Sequence, residues 1–131
     1  VPPTSPDEYL KLLDAVGRER FSVHLDPFNM IFTPDRYFWN AEFMHECFEK
    51  LRPHIKSIHA KDVLLTDELT YCVREEKIGK GGVDYDAFLR EIAALPEETP
   101  VIIVHRDTLV EYREELEFVR ERARSLGIPL L

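Results

Sequence analysis

The chain of 131 residues sets 17 Lys and Arg against 25 Asp and Glu, a formal net charge of -8 with 44% hydrophobic content, the profile of one ordinary soluble domain. That balance offers no electrostatic footprint for a phosphate backbone or an anionic lipid surface, so nucleic acid and membrane are excluded as general partners. No apolar run approaches the roughly 18 residues of a membrane span, and the opening VPPTSPDEYL has neither a basic nor an apolar leader region. A cytoplasmic location is expected, and an initial Val in place of Met hints either that residues were removed or that the chain is part of something longer. Cys47 and Cys72 lack CxxC spacing and read as reduced packing residues.

Ser5-Pro6-Asp7-Glu8 marks a helix start, with Ser5 as N-cap and Tyr9, Leu10, Leu13 and Val16 at helical spacing before Gly17. Phe21 to Asp26 alternates and ends at Pro27, which predicts a strand entering a loop that contains Pro34. Phe43, Met44, Cys47, Phe48 and Leu51 form the apolar stripe of a helix over about Asn40 to Leu51, stopped by Pro53. Ile55 to Val63 predicts a second strand. Leu64 to Gly82 is then a long connection closed by Gly79-Lys80-Gly81-Gly82, which reads as a turn because the GxxxxGK[ST] arrangement of a phosphate loop is missing. Asp84 caps a helix with Phe88, Leu89, Ile92 and Leu95 inward, Val101 to His105 predicts a buried strand, and Leu109 to Leu126 a charged helix with Leu116, Val119, Ala123 and Leu126 inward. Its charged stretch, Glu111 to Arg124, reads as a solvated face.

Strict alternation of strand and helix implies α/β architecture with parallel βα repeats. Three strands are too few for a closed TIM (βα)8 barrel, which needs about 250 residues, so residues 1–131 are expected to form one partial barrel domain, about half. On a barrel strand alternate residues face the lumen. Phe21, Val23 and Leu25 facing helices leaves Ser22, His24 and Asp26 inward, and Ile58 and Ala60 outward leaves Ser57, His59 and Lys61 inward. Asp26 and Lys61 fall at the C-terminal strand ends, where such folds build their sites. Asp26 and His59 are chemically able to share a divalent cation. Their plainer readings are a capped turn with Pro27 and a hydrogen-bonded barrel histidine.

The ordered strings His24-Leu25-Asp26-Pro27-Phe28-Asn29-Met30, Leu51-Arg52-Pro53-His54-Ile55 leading to His59-Ala60-Lys61-Asp62, and Ile78-Gly79-Lys80-Gly81 before Val83-Asp84-Tyr85 resemble the C-terminal half of the sugar phosphate isomerase/epimerase family of xylose-isomerase-like barrels. The resemblance implies a divalent metal (Mn, Mg, Co or Zn), here weakly held, with Asp26 and His59 as ligands. It implies proton transfer beside a carbonyl through an enediolate, with Lys61 and Asp62 as catalytic polar groups and Asn29 against the substrate. His24 is a further substrate-facing candidate, and Trp39, in the aromatic cluster Asp35 to Trp39, is a candidate to close over a sugar ring. Partners implied are a small sugar and either a second copy or a preceding half-barrel.

Two departures accompany the match. The family's first Glu ligand would precede Val1, and its last falls where this chain carries Val104. His105 is adjacent, but alternation points it away from the lumen. A catalytically silent half-barrel serving as an assembly or binding module is therefore the alternative. An endonuclease IV-type reading ranks last, because Val73-Arg74-Glu75 lacks that branch's Asp-x-His and the charge disfavours DNA. Glu75 and Glu76 are distant candidates to reach a metal from the long loop.

Overall fold

A computed structural model describes residues 3–130. In chain order it contains α1 (Pro6–Val16), β1 (Val23–Leu25), a 3-10 turn at Phe28–Met30, α2 (Pro34–Phe38), α3 (Asn40–Leu51), a second 3-10 turn at Arg52–His54, β2 (Ile55–Ala60), β3 (Asp62–Leu65), β4 (Val73–Glu76), α4 (Tyr85–Ala93), β5 (Val101–Ile103) and α5 (Leu109–Ser125). Strands β1, β2 and β5 form an open parallel sheet with β2 central, and β3 and β4 form a separate antiparallel pair. This is the partial barrel expected from the alternation, without closure.

The helix starts follow their caps. Ser5 accepts from the Glu8 N–H, Asp84 from Ala87, and Thr108 and Glu111 form a reciprocal capping box. Phe43, Met44, Cys47, Phe48 and Leu51 of α3 are all buried, as are Phe88, Leu89 and Ile92 of α4, and these two helices pack on each other against Leu25, Ile58 and Ala60. Burial pushes the Cys47 thiol up to about 12, which leaves it an inert packing group; Cys72 is exposed and unbridged.

Several boundaries differ from the sequence reading. The first strand begins at Val23, leaving Phe21 outside it and exposed. The segment around Pro34 is helical because Thr33 caps it and Pro34 sits in its first turn. The second strand stops at Ala60, and Asp62 turns the chain into β3, which pairs with β4 from Asp62 opposite Glu76 to Leu65 opposite Val73. The long connection is thus largely a hairpin, closed where the Thr66 N–H donates to the Cys72 carbonyl and the Cys72 N–H to Thr66 Oγ1. In α5 the inward position expected of Leu116 is taken by Glu115, while Leu116 is exposed. The last strand ends at Ile103, and Ile102 is 43% exposed rather than buried.

One irregularity in β2 sets the site's orientation. Val23 pairs with Ile55 but His24 pairs with Ser57, so the register slips by a residue at Lys56. Ile55 and Ile58, an odd distance apart, are thereby both buried under the helices. Beyond the slip, Ser57 and His59 turn to the opposite face.

The root of the hairpin is fixed by Asp62, whose carboxylate is fully buried. Its Oδ1 accepts the N–H groups of Val63 (2.8 Å) and Val83 (3.2 Å), and its Oδ2 those of Gly79 and Gly81 (3.0 Å each). A Cβ on Gly81 would collide with the Asp62 carboxylate and the Val63 carbonyl. Asp62→Ala, which orphans buried N–H groups, is expected to cost about 3 kcal/mol or more in urea unfolding, and Gly81→Ala about 2 kcal/mol. Near-native midpoints would contradict this.

Glu111 is held down to about 2, from 4.5, chiefly by its ion pair with Lys77 (2.6 Å). A depressed carboxylate stabilises the fold above its unfolded value and loses that contribution as pH falls through the folded one. The first turn of α5 is therefore expected to loosen between pH 4.5 and about 2. Acid titration of Glu111→Gln followed by amide exchange should lack that transition.

Candidate active site

Residues paired across parallel strands share a face. His24 lies opposite Ser57 and His59 opposite Ile102, so these four line the side of the sheet away from the helices. Asp26 and Lys61 continue the same parity just beyond β1 and β2.

A polar cluster forms where β1 and β2 end. Asp26 Oδ1 accepts the Asn29 N–H (3.1 Å), closing the turn after Pro27, while its Oδ2 lies 3.1 Å from His59 Nδ1 and 3.1 Å from Lys61 Nζ. Lys61 also donates to Asn29 Oδ1 (2.6 Å) and, more loosely, to Glu75 Oε2 (3.4 Å). Its backbone is locked by the buried Tyr85 hydroxyl, which donates to the Lys61 carbonyl (2.7 Å). His24 Nδ1 hydrogen-bonds Ser57 Oγ, and its ring meets His59 edge-on with centroids 4.0 Å apart. Burial, and then the neighbouring His59 ring, hold His24 below the usual histidine range against the pull of Asp26.

A second tier of charges joins from β4, the end of β5 and α5. Glu75 accepts from His105 Nδ1 (2.8 Å) and Arg106 (2.8 Å), and Arg106 Nε lies 3.1 Å from Glu115 Oε1. Glu115 also accepts the Ile78 N–H (3.2 Å), its side chain only 3% exposed, and its Oε2 is buried without a hydrogen-bond partner among the described residues. Burial raises Glu115, opposed first by Arg106. His105 does not point away from the lumen as alternation predicted. The strand has ended, φ of 59° places His105 in the left-handed region, and its ring comes within 6.5 Å of His59.

The candidates therefore separate. His24, Asp26, Asn29, His59 and Lys61 are gathered at one place, with Glu75, His105 and Arg106 beside them. Asp62 is apart: its oxygens serve the hairpin root and the glycine turn. Trp39, 64% exposed, lines a shallow groove with Pro6, Asp35, Arg36 and Glu46 between α1 and the α2–α3 corner, a groove to which no member of the cluster contributes.

Residues 2–122 match the family model described as xylose isomerase-like TIM barrel. The chain belongs to that family. Its fold is similar to the crystal structure of a xylose isomerase domain protein from Planctomyces limnophilus, with a TM-score of 0.71 and 20% identity over 94% of this chain and 45% of that one. This chain thus spans a little under half the length of that xylose isomerase domain protein. No curated protein matches.

The divalent metal implied by the family can be tested against the donors present. The 3.1 Å between Asp26 Oδ2 and His59 Nδ1 suits one edge of an octahedron, since bonds of about 2.1 Å at right angles separate donors by about 3.0 Å. Other features oppose it. Asp26 Oδ2 already faces the Lys61 ammonium, Oδ1 is taken by Asn29, and Val104 has no donor side chain. The donor set of this chain alone does not fit a resident divalent ion.

Arg106 is what makes the buried Glu115 tolerable. Arg106→Ala is expected to cost about 3 kcal/mol or more by leaving that carboxylate buried and unpaired, and adding Glu115→Gln should restore part of the loss. Urea melts of the single and double variants measure it; simple additivity would show that the pair is not coupled.

Proposed function

We propose that this chain supplies the carbonyl-facing wall of a sugar isomerase- or epimerase-like site, acting on a ketose, a polyol-derived keto compound or a sugar phosphate. What carries the reading is the convergence of Asp26, Asn29, His59 and Lys61 from two neighbouring strand ends on the face turned away from the helices. Family membership supports it at the level of fold and general chemistry.

The residues suit proton transfer beside a carbonyl. With Asp26 on Nδ1, His59 is held in the tautomer whose Nε2 carries a lone pair, a base able to take the proton from the carbon next to the carbonyl. The electrons then move onto the carbonyl oxygen, where the Lys61 ammonium supplies a charged donor for the enediolate. Protonation of the former carbonyl carbon by the His59 imidazolium, whose proton trades with solvent between the two steps, completes an isomerisation as the hydroxyl on the deprotonated carbon passes its proton to the enediolate oxygen and becomes the new carbonyl. Asn29 holds Lys61 in place, and His24 stands beside His59 as a neutral donor or acceptor for a sugar hydroxyl. Asp62 acts at a distance, as the positioning group for the hairpin that bears Glu75.

Proton–deuterium exchange into a panel of ketoses and their phosphates, followed by NMR in D2O, tests the reading. Exchange above the buffer rate is expected, reduced at least about 100-fold by His59→Gln or Lys61→Met. No exchange for any member would remove the isomerase reading.

A second reading, a silent assembly module, rests on a different observation. Among the described residues, strands β1 and β5 each have an unpaired edge, and an apolar groove of about 480 Å³ lined by Leu95, Pro100, Val101, Ile103, Val119 and Ile128 lies beside β5. Free parallel edges invite further strands. Sedimentation of this chain at micromolar concentration is expected to show self-association, and a stable monomer with a cooperative melt would count against a module built on that edge.

A further inference from the structure

Lys61 is unusual among the site residues: its side chain is 3% exposed, and lysine is almost never so buried unless its charge is met. Three oxygens meet it, two from the turn that follows β1 and one from β4. They are Asn29 Oδ1 at 2.6 Å, Asp26 Oδ2 at 3.1 Å and Glu75 Oε2 at 3.4 Å. The His59 imidazole completes the surround through its own 3.1 Å contact with Asp26. Two carboxylates, an amide oxygen and an imidazole are the hard and borderline donors that manganese, magnesium or cobalt select.

We propose that the Lys61 ammonium is the resident cation of this site and keeps divalent metal out of it. The two cations compete for the same oxygens, and within a few ångströms of each other their repulsion is uncompensated, because Asp26 and Glu75 supply only two negative charges and Glu75 is already shared with Arg106 and His105. Val104, the first residue after β5, adds no third carboxylate to balance both. Of the three contacts to Nζ, the one to Glu75 is the longest, and Glu75 has two other partners, the Arg106 guanidinium and His105 Nδ1. It is the contact an incoming ligand oxygen displaces, which gives Lys61 one donor for a carbonyl or anionic oxygen while Asp26 and Asn29 hold the other two. The inference rests on these side chains alone and stands or falls apart from the isomerase reading.

Removing the ammonium should convert the site into a metal site. Manganese titrations followed by electron paramagnetic resonance on the free ion are expected to show no site-specific uptake by the wild-type chain. Lys61→Ala should bind at least about tenfold more tightly, and adding Asp26→Asn should abolish the gain. Circular dichroism and urea melts establish that the variants are folded; should Lys61→Ala fail to fold, Lys61→Gln, which removes the charge but keeps a donor, carries the same comparison. Tight manganese binding by the wild type that is lost in His59→Gln would overturn the proposal. So would a folded charge-removing variant that binds no better than wild type.

Discussion

The carboxylate of Asp62 is the interaction on which the rest depends. Four backbone N–H groups, one from Val63 and three from the Gly79 to Val83 stretch, end on its two oxygens. The bonds close the glycine turn against the hairpin root, bring Val83 to the start of α4, and fix the direction in which β4 returns. Asn40 reinforces the arrangement from α3, donating to the Tyr37 and Gly82 carbonyls and accepting the Asp84 N–H. Glu75 can meet Lys61 only because the strand that carries it is held at this root.

Beside that anchor runs a chain of alternating charge, buried at Asp26, Lys61 and Glu115 and open to solvent at Glu75: Asp26, Lys61, Glu75, Arg106, Glu115. Each ion stands between two of opposite sign, except at the ends, where Asp26 faces His59 and Glu115 keeps one oxygen unmatched. Such a series is costly to desolvate. Its value is positional, because moving any member exposes its neighbours' charge, so the helix α5, the hairpin and the two strand ends share one arrangement.

Much of this was legible in the sequence. Ser5, Asp84 and Thr108 mark helix starts by chemistry local to each turn, the α3 and α4 stripes declare their buried faces, and the parity of Ile58 and Ala60 correctly put His59 and Lys61 on the other side. What was not legible depended on partners distant in the chain. The β3–β4 pairing needs the closure between Thr66 and Cys72, and neither residue suggests a turn. Glu115 looks like one more solvated charge on a charged helix until Arg106 is beside it. His105 left the strand's alternation through a single left-handed residue, which no period-two pattern can report. Asp62 and Lys61 are adjacent and equally polar in sequence, and only the folded chain sends one to the hairpin root and the other to the lumen.

The register slip at Lys56 has a consequence for how this protein can change. Core and site are read from the same stretch of chain, Ile58 and Ala60 on one side, His59 and Lys61 on the other, and a single slipped residue decides which side is which. A deletion that erased the slip would carry the imidazole and the ammonium beneath the helices and turn the isoleucine out, so folding and chemistry would be lost together. Length in this segment is therefore constrained as one frame, and a change that preserves the fold can reach the site through the identity of its side chains but not through their spacing.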